Sequence, residues 1–155
     1  MTNYEFALEL AERAHFGQKD KAGKPYVEHL KRVASSMPND ILKTIAILHD
    51  ILEDTFVTRD MLIHLFSGTI VYNVDRLTRK DGESYSEYID KILGSIPACK
   101  VKLADLEDNM NLGRLKEITD EDLDRVKKYE KARKKIKEKL DSVEAESSHH
   151  YDDVY

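Results

Sequence analysis

Four residues able to support hydrolytic chemistry fall within two turns of one another: His49, Asp50, Glu53 and Asp54, in the stretch ILKTIAILHDILEDT from Ile41 to Thr55. On a helix, at roughly 100° per residue, Ile41, Ile45, Leu48 and Leu52 form one apolar stripe. Ile47 and Ile51 widen it, and the four polar residues fill the remaining gap of about 140° with only Ala46 among them. A helix apolar over most of its circumference is a core helix. Three carboxylates and an imidazole on such a helix are costly unless something compensates them. A divalent cation does so, because it takes carboxylate and imidazole ligands and turns clustered negative charge into a binding site. The ordinary alternative is a half-exposed helix whose acidic side faces water. The polar residues sit in the middle of the apolar run, and matching residues occur elsewhere, which favours the metal.

Such a site needs further ligands, and two other segments that read as helices can supply them. In PYVEHLKRVASSM, Pro25 suits a first turn, and Val27, Leu30, Val33, Ala34 and Met37 face the core. His29 lies beside Leu30 and Val33. In PACKVKLADLEDNMNLGRL, started by Pro97, the residues Val101, Leu103, Ala104, Leu106 and Met110 make a mostly buried surface that Asp105 interrupts. Asn109 follows one turn later on the same face. An unpaired Asp there is costly, so a cation is again the economical partner. Glu107 and Asp108 are expected to face solvent.

The remaining elements follow from punctuation and period. A first helix runs from Tyr4 to about His15, capped by Asn3, with Phe6, Leu10 and Ala14 on one face. A Gly- and Lys-rich loop, Gly17–Pro25, separates it from the His29 segment. Thr58 caps RDMLIHLF, with Leu62, Leu65 and Phe66 inward and His64 on the surface. SGTIVYNVDRLTRK buries Ile70, Val74 and Leu77; Arg76, Arg79 and Lys80 at its end either complement the helix dipole or reach substrate phosphates. A capping box, Ser84 to Glu87, opens SYSEYIDKILGS. From Thr119 a long charged helix is anchored by Leu123, Val126, Tyr129, Ala132, Ile136 and Leu140. Residues 1–141 read as one domain. Residues 142–155, with His149 and His150, lack periodicity and are expected to be a disordered tail.

His49-Asp50 at the heart of such a helix resembles the signature of the HD phosphohydrolase superfamily, and LHDILEDT is similar to the hydrolase domains of Rel/Spo-type alarmone enzymes. AHFGQKDKAGKPYVEHLKRVA resembles the opening of those domains, and KLADLEDNM their KLADRLHNM stretch. The resemblance implies an all-α, compact HD-type bundle of about seven or eight helices. It implies one divalent ion held by His29, His49, Asp50 and Asp105, with Mn²⁺ favoured by family habit and Zn²⁺ or Fe²⁺ possible on ligand chemistry. Glu53 and Asp54 would orient the attacking water or move its proton, and Lys21, Arg79, Lys80 and Asn109 would hold a phosphorylated nucleotide. The implied reaction removes the 3′-pyrophosphate from guanosine tetra- or pentaphosphate, in a stand-alone hydrolase without a synthetase domain. Another nucleotide as substrate, or a non-catalytic nucleotide-binding module, are the alternatives. One departure bears on the choice. The family's loop carries Arg-Lys, its Arg associated with the guanine ring, where this chain has Asp20-Lys21. Either another cation, Lys19, Lys21 or Lys24, replaces that Arg, or the substrate differs.

Composition narrows the class. The 155 residues are 41% hydrophobic and 35% charged, with three Pro and six Gly, which suits one helical globular domain. A net charge of −5 argues against non-specific nucleic-acid binding. Cys99 is the single cysteine, so no internal disulfide forms and a reducing cytoplasm is the simplest compartment. No basic n-region precedes an apolar h-region at the start, and no apolar run approaches membrane-spanning length. The sequence is compatible with a monomer or a homo-oligomer.

Overall fold

The computed structural model describes residues 1–152, with side chains through 147. Among the described residues the chain forms nine α-helices and one short 3₁₀ turn. They are α1 (Asn3–Ala14), α2 (Tyr26–Ser35), α3 (Asp40–Leu48), α4 (Ile51–Asp54), α5 (Arg59–Leu65), α6 (Gly68–Arg76), α7 (Tyr85–Leu93), α8 (Ile96–Met110) and α9 (Asp120–Asp152). The all-α class matches expectation. The additional helix arises because the expected central helix, Ile41–Thr55, is two.

α3 is the hub, packed against α1, α2, α6 and α8. Ile45, Ala46, Ile47 and Leu48 are all fully buried, so most of its circumference is core. Each of the Ile and Leu side chains among them contributes roughly 1.5–3 kcal/mol by leaving water. Thr44, buried among them, donates its hydroxyl to the Asp40 carbonyl at 2.7 Å and leaves no unpaired polar group. The Asn39 side chain caps α3 by accepting from Leu42 N at 2.9 Å.

The break between α3 and α4 falls on His49 and Asp50. The His49 N–H reaches back to the Ala46 carbonyl at 3.4 Å, an i→i−3 contact, and Asp50 has φ −104° and ψ 1°. In an unbroken helix adjacent residues point about 100° apart. At this turn both side chains reach one place.

Other details differ from the sequence expectation. Thr2 rather than Asn3 caps α1, in a reciprocal box with Glu5. The buried row of α1 is Ala7 and Ala11, while Phe6 is 38% exposed; small alanines let α1 lie close on α3. On α5, Leu62 and Phe66, one turn apart, take the buried side and leave Leu65 exposed. Ser95 caps α8, one residue ahead of the expected start. α9 continues through residue 142 without a break to Asp152, with Ser142 Oγ donating to the Lys139 carbonyl at 2.8 Å. Residues 153–155 of the expected tail, and the side chains of His149 and His150, lie outside the described residues. Among the described residues no helix is long and apolar enough to cross a membrane.

Candidate metal centre and adjoining cavity

Three elements far apart in sequence meet at one point: α2 brings His29, the α3–α4 turn brings His49 and Asp50, and α8 brings Asp105. His49 Nε2 lies 3.2 Å from Asp50 Oδ2 and 3.3 Å from Asp105 Oδ1, and His29 Nε2 lies 2.9 Å from the same Asp105 oxygen. His29, His49 and Asp105 are all buried, at 3%, 1% and 4% exposure.

The second ring nitrogen of each histidine decides what these distances mean. His49 Nδ1 sits 2.6 Å from the Ala46 carbonyl, which can only accept, so Nδ1 carries a proton. His29 Nδ1 sits 2.6 Å from an Asp108 oxygen, with the same consequence. In the neutral rings, both Nε2 atoms therefore present bare lone pairs to carboxylate oxygens. His49 Nε2 is buried with no hydrogen-bond partner. Lone pairs brought together in this way repel unless a cation lies among them. Two imidazole nitrogens and two carboxylates, each histidine hydrogen-bonded through its far nitrogen, are the donor set and supporting pattern of a divalent metal site.

In the metal-free state the Lys102 ammonium and protons on the histidines supply the positive charge, and the pKa directions agree. Burial would lower both histidines, but the Asp105 hydrogen bond and charge raise His29, and the Asp50 and Asp105 charges hold His49 well above its ordinary value of 6.5. Burial would raise the carboxyls, yet His49 draws Asp50 below the usual 3.8, and Lys102 with His49 holds Asp105 well below it.

These shifts predict a bell-shaped stability profile for the chelated protein. The raised histidines contribute stability that is complete below pH 6.5 and lost as pH rises through their folded-state values. The lowered carboxylates contribute stability that is complete above pH 3.8 and lost as pH falls through theirs. The melting temperature in excess chelator should therefore peak on the acid side of neutrality and fall toward pH 9. Saturating metal should flatten that alkaline fall, because metal displaces the protons. A chelated melting temperature that climbs steadily from pH 6 to 9 would contradict the proton-filled cluster.

Glu53 and Asp54, on α4, stand beside the cluster. One carboxylate oxygen each of Asp50, Glu53 and Asp54 lie within 4.8 Å of one another. Both α4 acids reach solvent, but partial desolvation and the charge of Asp50 push both carboxyls above their usual range. Glu53 Oε1 accepts the Arg79 backbone N–H, and the Asp54 carbonyl accepts Gln18 Nε2 at 2.8 Å.

A cavity of about 410 Å³ opens against the cluster, lined by His29, Asp108 and Asn109 together with Lys21, Arg125 and Tyr129. Asn109 Nδ2 donates to Asp105 Oδ1 at 3.2 Å. Lys21 and Asn109, expected near the substrate, thus both line this space. Arg79 and Lys80 do not: Arg79 Nε donates to the Glu83 carbonyl at 3.0 Å, and Lys80 Nζ pairs with Asp75 at 2.6 Å. Asp20 borders the cavity, but its Oδ1 accepts the backbone N–H of Ala22 and Lys24, each at 2.9 Å, and so pins the loop. Gly23, at φ +82°, makes that turn possible.

Several contributors escaped the sequence reading. Tyr26 donates its hydroxyl to Asp50 Oδ2, and burial, then the Asp50 charge, raise its pKa. Lys102 is buried, with Nζ 2.8 Å from Asp105 Oδ2. A lysine one turn from Asp105 within an apolar run was a signal for it. His15, also buried, bonds Gln18 Oε1 through Nδ1 at 2.7 Å. Asp108, expected to face solvent, instead joins His29 to Arg32 and Arg114, whereas Glu107 is exposed and pairs with Arg133 at 3.1 Å.

No protein-family model matches the chain. Among curated proteins it is 32% identical over 119 residues to a guanosine-3′,5′-bis(diphosphate) 3′-pyrophosphohydrolase of Borreliella burgdorferi, an alignment spanning 67% of this chain and 18% of that protein. It is 31% identical over 116 residues to a GTP pyrophosphokinase of Myxococcus xanthus, spanning 63% of this chain and 15% of that protein. The chain thus corresponds to less than a fifth of the length of these relatives. A solved structure described as a metazoan ortholog of SpoT that hydrolyses ppGpp superposes with a TM-score of 0.74, covering 95% of this chain and 96% of that one. At 22% identity that likeness is one of fold.

Proposed function

We propose that this chain, a relative of the Rel/Spo-type enzymes through their hydrolase domain, is a metal-dependent phosphohydrolase that removes the 3′-pyrophosphate from guanosine tetra- or pentaphosphate. The observation that carries it is the convergence of two imidazole Nε2 lone pairs and two carboxylates beside a cavity of about 410 Å³. The curated relatives named as 3′-pyrophosphohydrolases support the choice of substrate. In this reading His29, His49, Asp50 and Asp105 hold one divalent ion, Mn²⁺ by family habit. The ion would supply a Lewis acid for the phosphoryl oxygens and a more acidic water. Glu53 and Asp54, whose carboxyls partial burial pushes above their usual range, would orient the attacking water and accept its proton. Asn109 and Lys21 face the nucleotide, joined by Arg125 and Tyr129 of α9. The domain is residues 1–141 and its compartment a reducing cytoplasm, in keeping with the buried free thiol of Cys99.

A second reading, hydrolysis of a different nucleotide, is favoured by one observation: Asp20 spends its carboxylate on the loop backbone and offers no cation to a base. Lys21 sits close enough to Arg125 that desolvation, then the Arg125 charge, lower its pKa. Cations crowded in this way suit an anionic ligand. Lys21→Met and Arg125→Met should each raise KM several-fold with little change in kcat, as loss of ground-state binding does. An unchanged KM in both variants would place the substrate elsewhere. Assaying the Mn²⁺-loaded protein against guanosine tetraphosphate, NADPH and common nucleotides for phosphate or pyrophosphate release decides between the substrates.

A further inference from the structure

The residue behind His29 is one at which this chain departs from the sequence it resembles: Asp108 stands where the KLADRLHNM stretch has His. Its carboxylate is the meeting point of three side chains. Oδ2 accepts from His29 Nδ1 at 2.6 Å. Arg32 grips both oxygens, Nε to Oδ1 at 2.9 Å and Nη2 to Oδ2 at 3.1 Å. Arg114 adds Nη2 to Oδ2 at 3.3 Å and to the Asp108 carbonyl at 2.9 Å. A forked guanidinium on a carboxylate fixes its plane as well as its position. The Asp108 side chain is only 14% exposed, and Asp108, Arg32 and Arg114 all line the cavity.

We propose that Asp108, clamped by Arg32 and Arg114, is the positioning residue of the metal centre: it fixes the His29 ring with Nε2 bare and makes that nitrogen a stronger donor. A carboxylate that accepts from one imidazole nitrogen selects the tautomer and raises the basicity of the other. His49 has only the neutral Ala46 carbonyl in the equivalent place, so the two histidines are unequal ligands. The arginines also settle the charge. Two guanidiniums against one carboxylate leave this part of the cavity wall net positive, which suits an anionic substrate. The inference rests on the metal reading proposed above.

The full chain, stripped with chelator and titrated with Mn²⁺ by calorimetry, provides the test. Asp108→Asn should weaken Mn²⁺ binding about 10- to 100-fold, the range for removal of a carboxylate behind a ligating histidine. Its hydrolytic rate should fall at limiting Mn²⁺ and recover to within a few-fold of wild type at saturating Mn²⁺, a rescue that a general loss of structure would not show. Should Asp108→Asn fail to fold, the wild type carries the test alone. Long-range ¹H–¹⁵N spectra of the Zn²⁺-loaded protein should show the His29 proton on Nδ1. Unchanged Mn²⁺ affinity in Asp108→Asn overturns the inference and leaves the metal reading standing, whereas a His29 proton on Nε2 of the loaded protein overturns the inference and also removes His29 from the ligand set. A wild type that takes up no Mn²⁺ overturns both.

Discussion

Replacing His49 with alanine is expected to abolish hydrolysis and, with it, the response of the melting temperature to Mn²⁺. His49 is the most deeply buried of the four converging residues, and its Nε2 approaches both Asp50 and Asp105. Without it the two carboxylates lose the group that lies between them, and the cluster keeps one imidazole. An ion that binds only the folded state stabilises it by RT ln(1 + [L]/Kd), about 2.7 kcal/mol at a hundredfold excess over Kd. For a domain of this size that corresponds to roughly 5 °C or more in melting temperature. The wild type should show that rise on adding Mn²⁺ and lose it on adding chelator, while His49→Ala should show neither. Equal responses in the two proteins would mean that the ion binds elsewhere. Comparing each protein with itself removes the intrinsic cost of the cavity that alanine leaves.

Glu53→Gln and Asp54→Asn should separate chemistry from metal binding. Neither residue belongs to the His29–His49–Asp105 group, and both are exposed with a carboxylate oxygen within 4.8 Å of one of Asp50. Each amide keeps the shape of the side chain while removing its ability to take a proton. Turnover should fall by roughly 10²-fold or more, the usual scale for a positioned proton-transfer group. Mn²⁺ affinity should stay within a few-fold of wild type. Glu53 also accepts the Arg79 backbone N–H, which an amide oxygen can still do, so the α4–Arg79 contact should survive in Glu53→Gln. If both variants hydrolyse the substrate at near-wild-type rates, the acids only shape the entrance.

The convergence of His29, His49, Asp50 and Asp105 was legible because each interrupts an apolar face, and burial makes an isolated polar residue conspicuous. The turn at His49-Asp50 was not legible. Apolar period alone reads straight through it, since Ile51 and Leu52 continue the stripe of α3. Asp108 was hidden for a different reason. One position after exposed Glu107, its pattern is that of a solvated residue, and only packing against α2 brings Arg32 and His29 to it. Arg79 and Lys80 show a limit of another kind. Two cations at a helix end look available for phosphate, but Glu83 and Asp75 nearby already engage them. Side-chain pairing between exposed residues leaves no periodic trace in sequence. The same holds for Arg125 and Tyr129, whose position along the charged α9 gives no hint that the cavity lies beneath them.

Lys102 limits what Asp105 can give. Its ammonium is buried against Asp105 Oδ2, and the Asp105 charge raises its pKa well above the ordinary lysine value despite burial, so the contact is an ion pair. With that oxygen engaged, Asp105 can enter a coordination shell with Oδ1 alone, and Asn109 already donates to Oδ1 from the side. Denticity then becomes a filter on ion size. Ca²⁺ gathers six to eight oxygens at about 2.3–2.6 Å and completes its sphere with carboxylates that grip through both atoms. A site with two nitrogen donors and a carboxylate restricted to one oxygen serves such an ion poorly. A smaller transition ion, content with fewer donors and favoured by imidazole, loses nothing by the restriction and keeps positions open for substrate. If the site holds the ion proposed above, a single lysine on α8 would thus bias it against an abundant competitor.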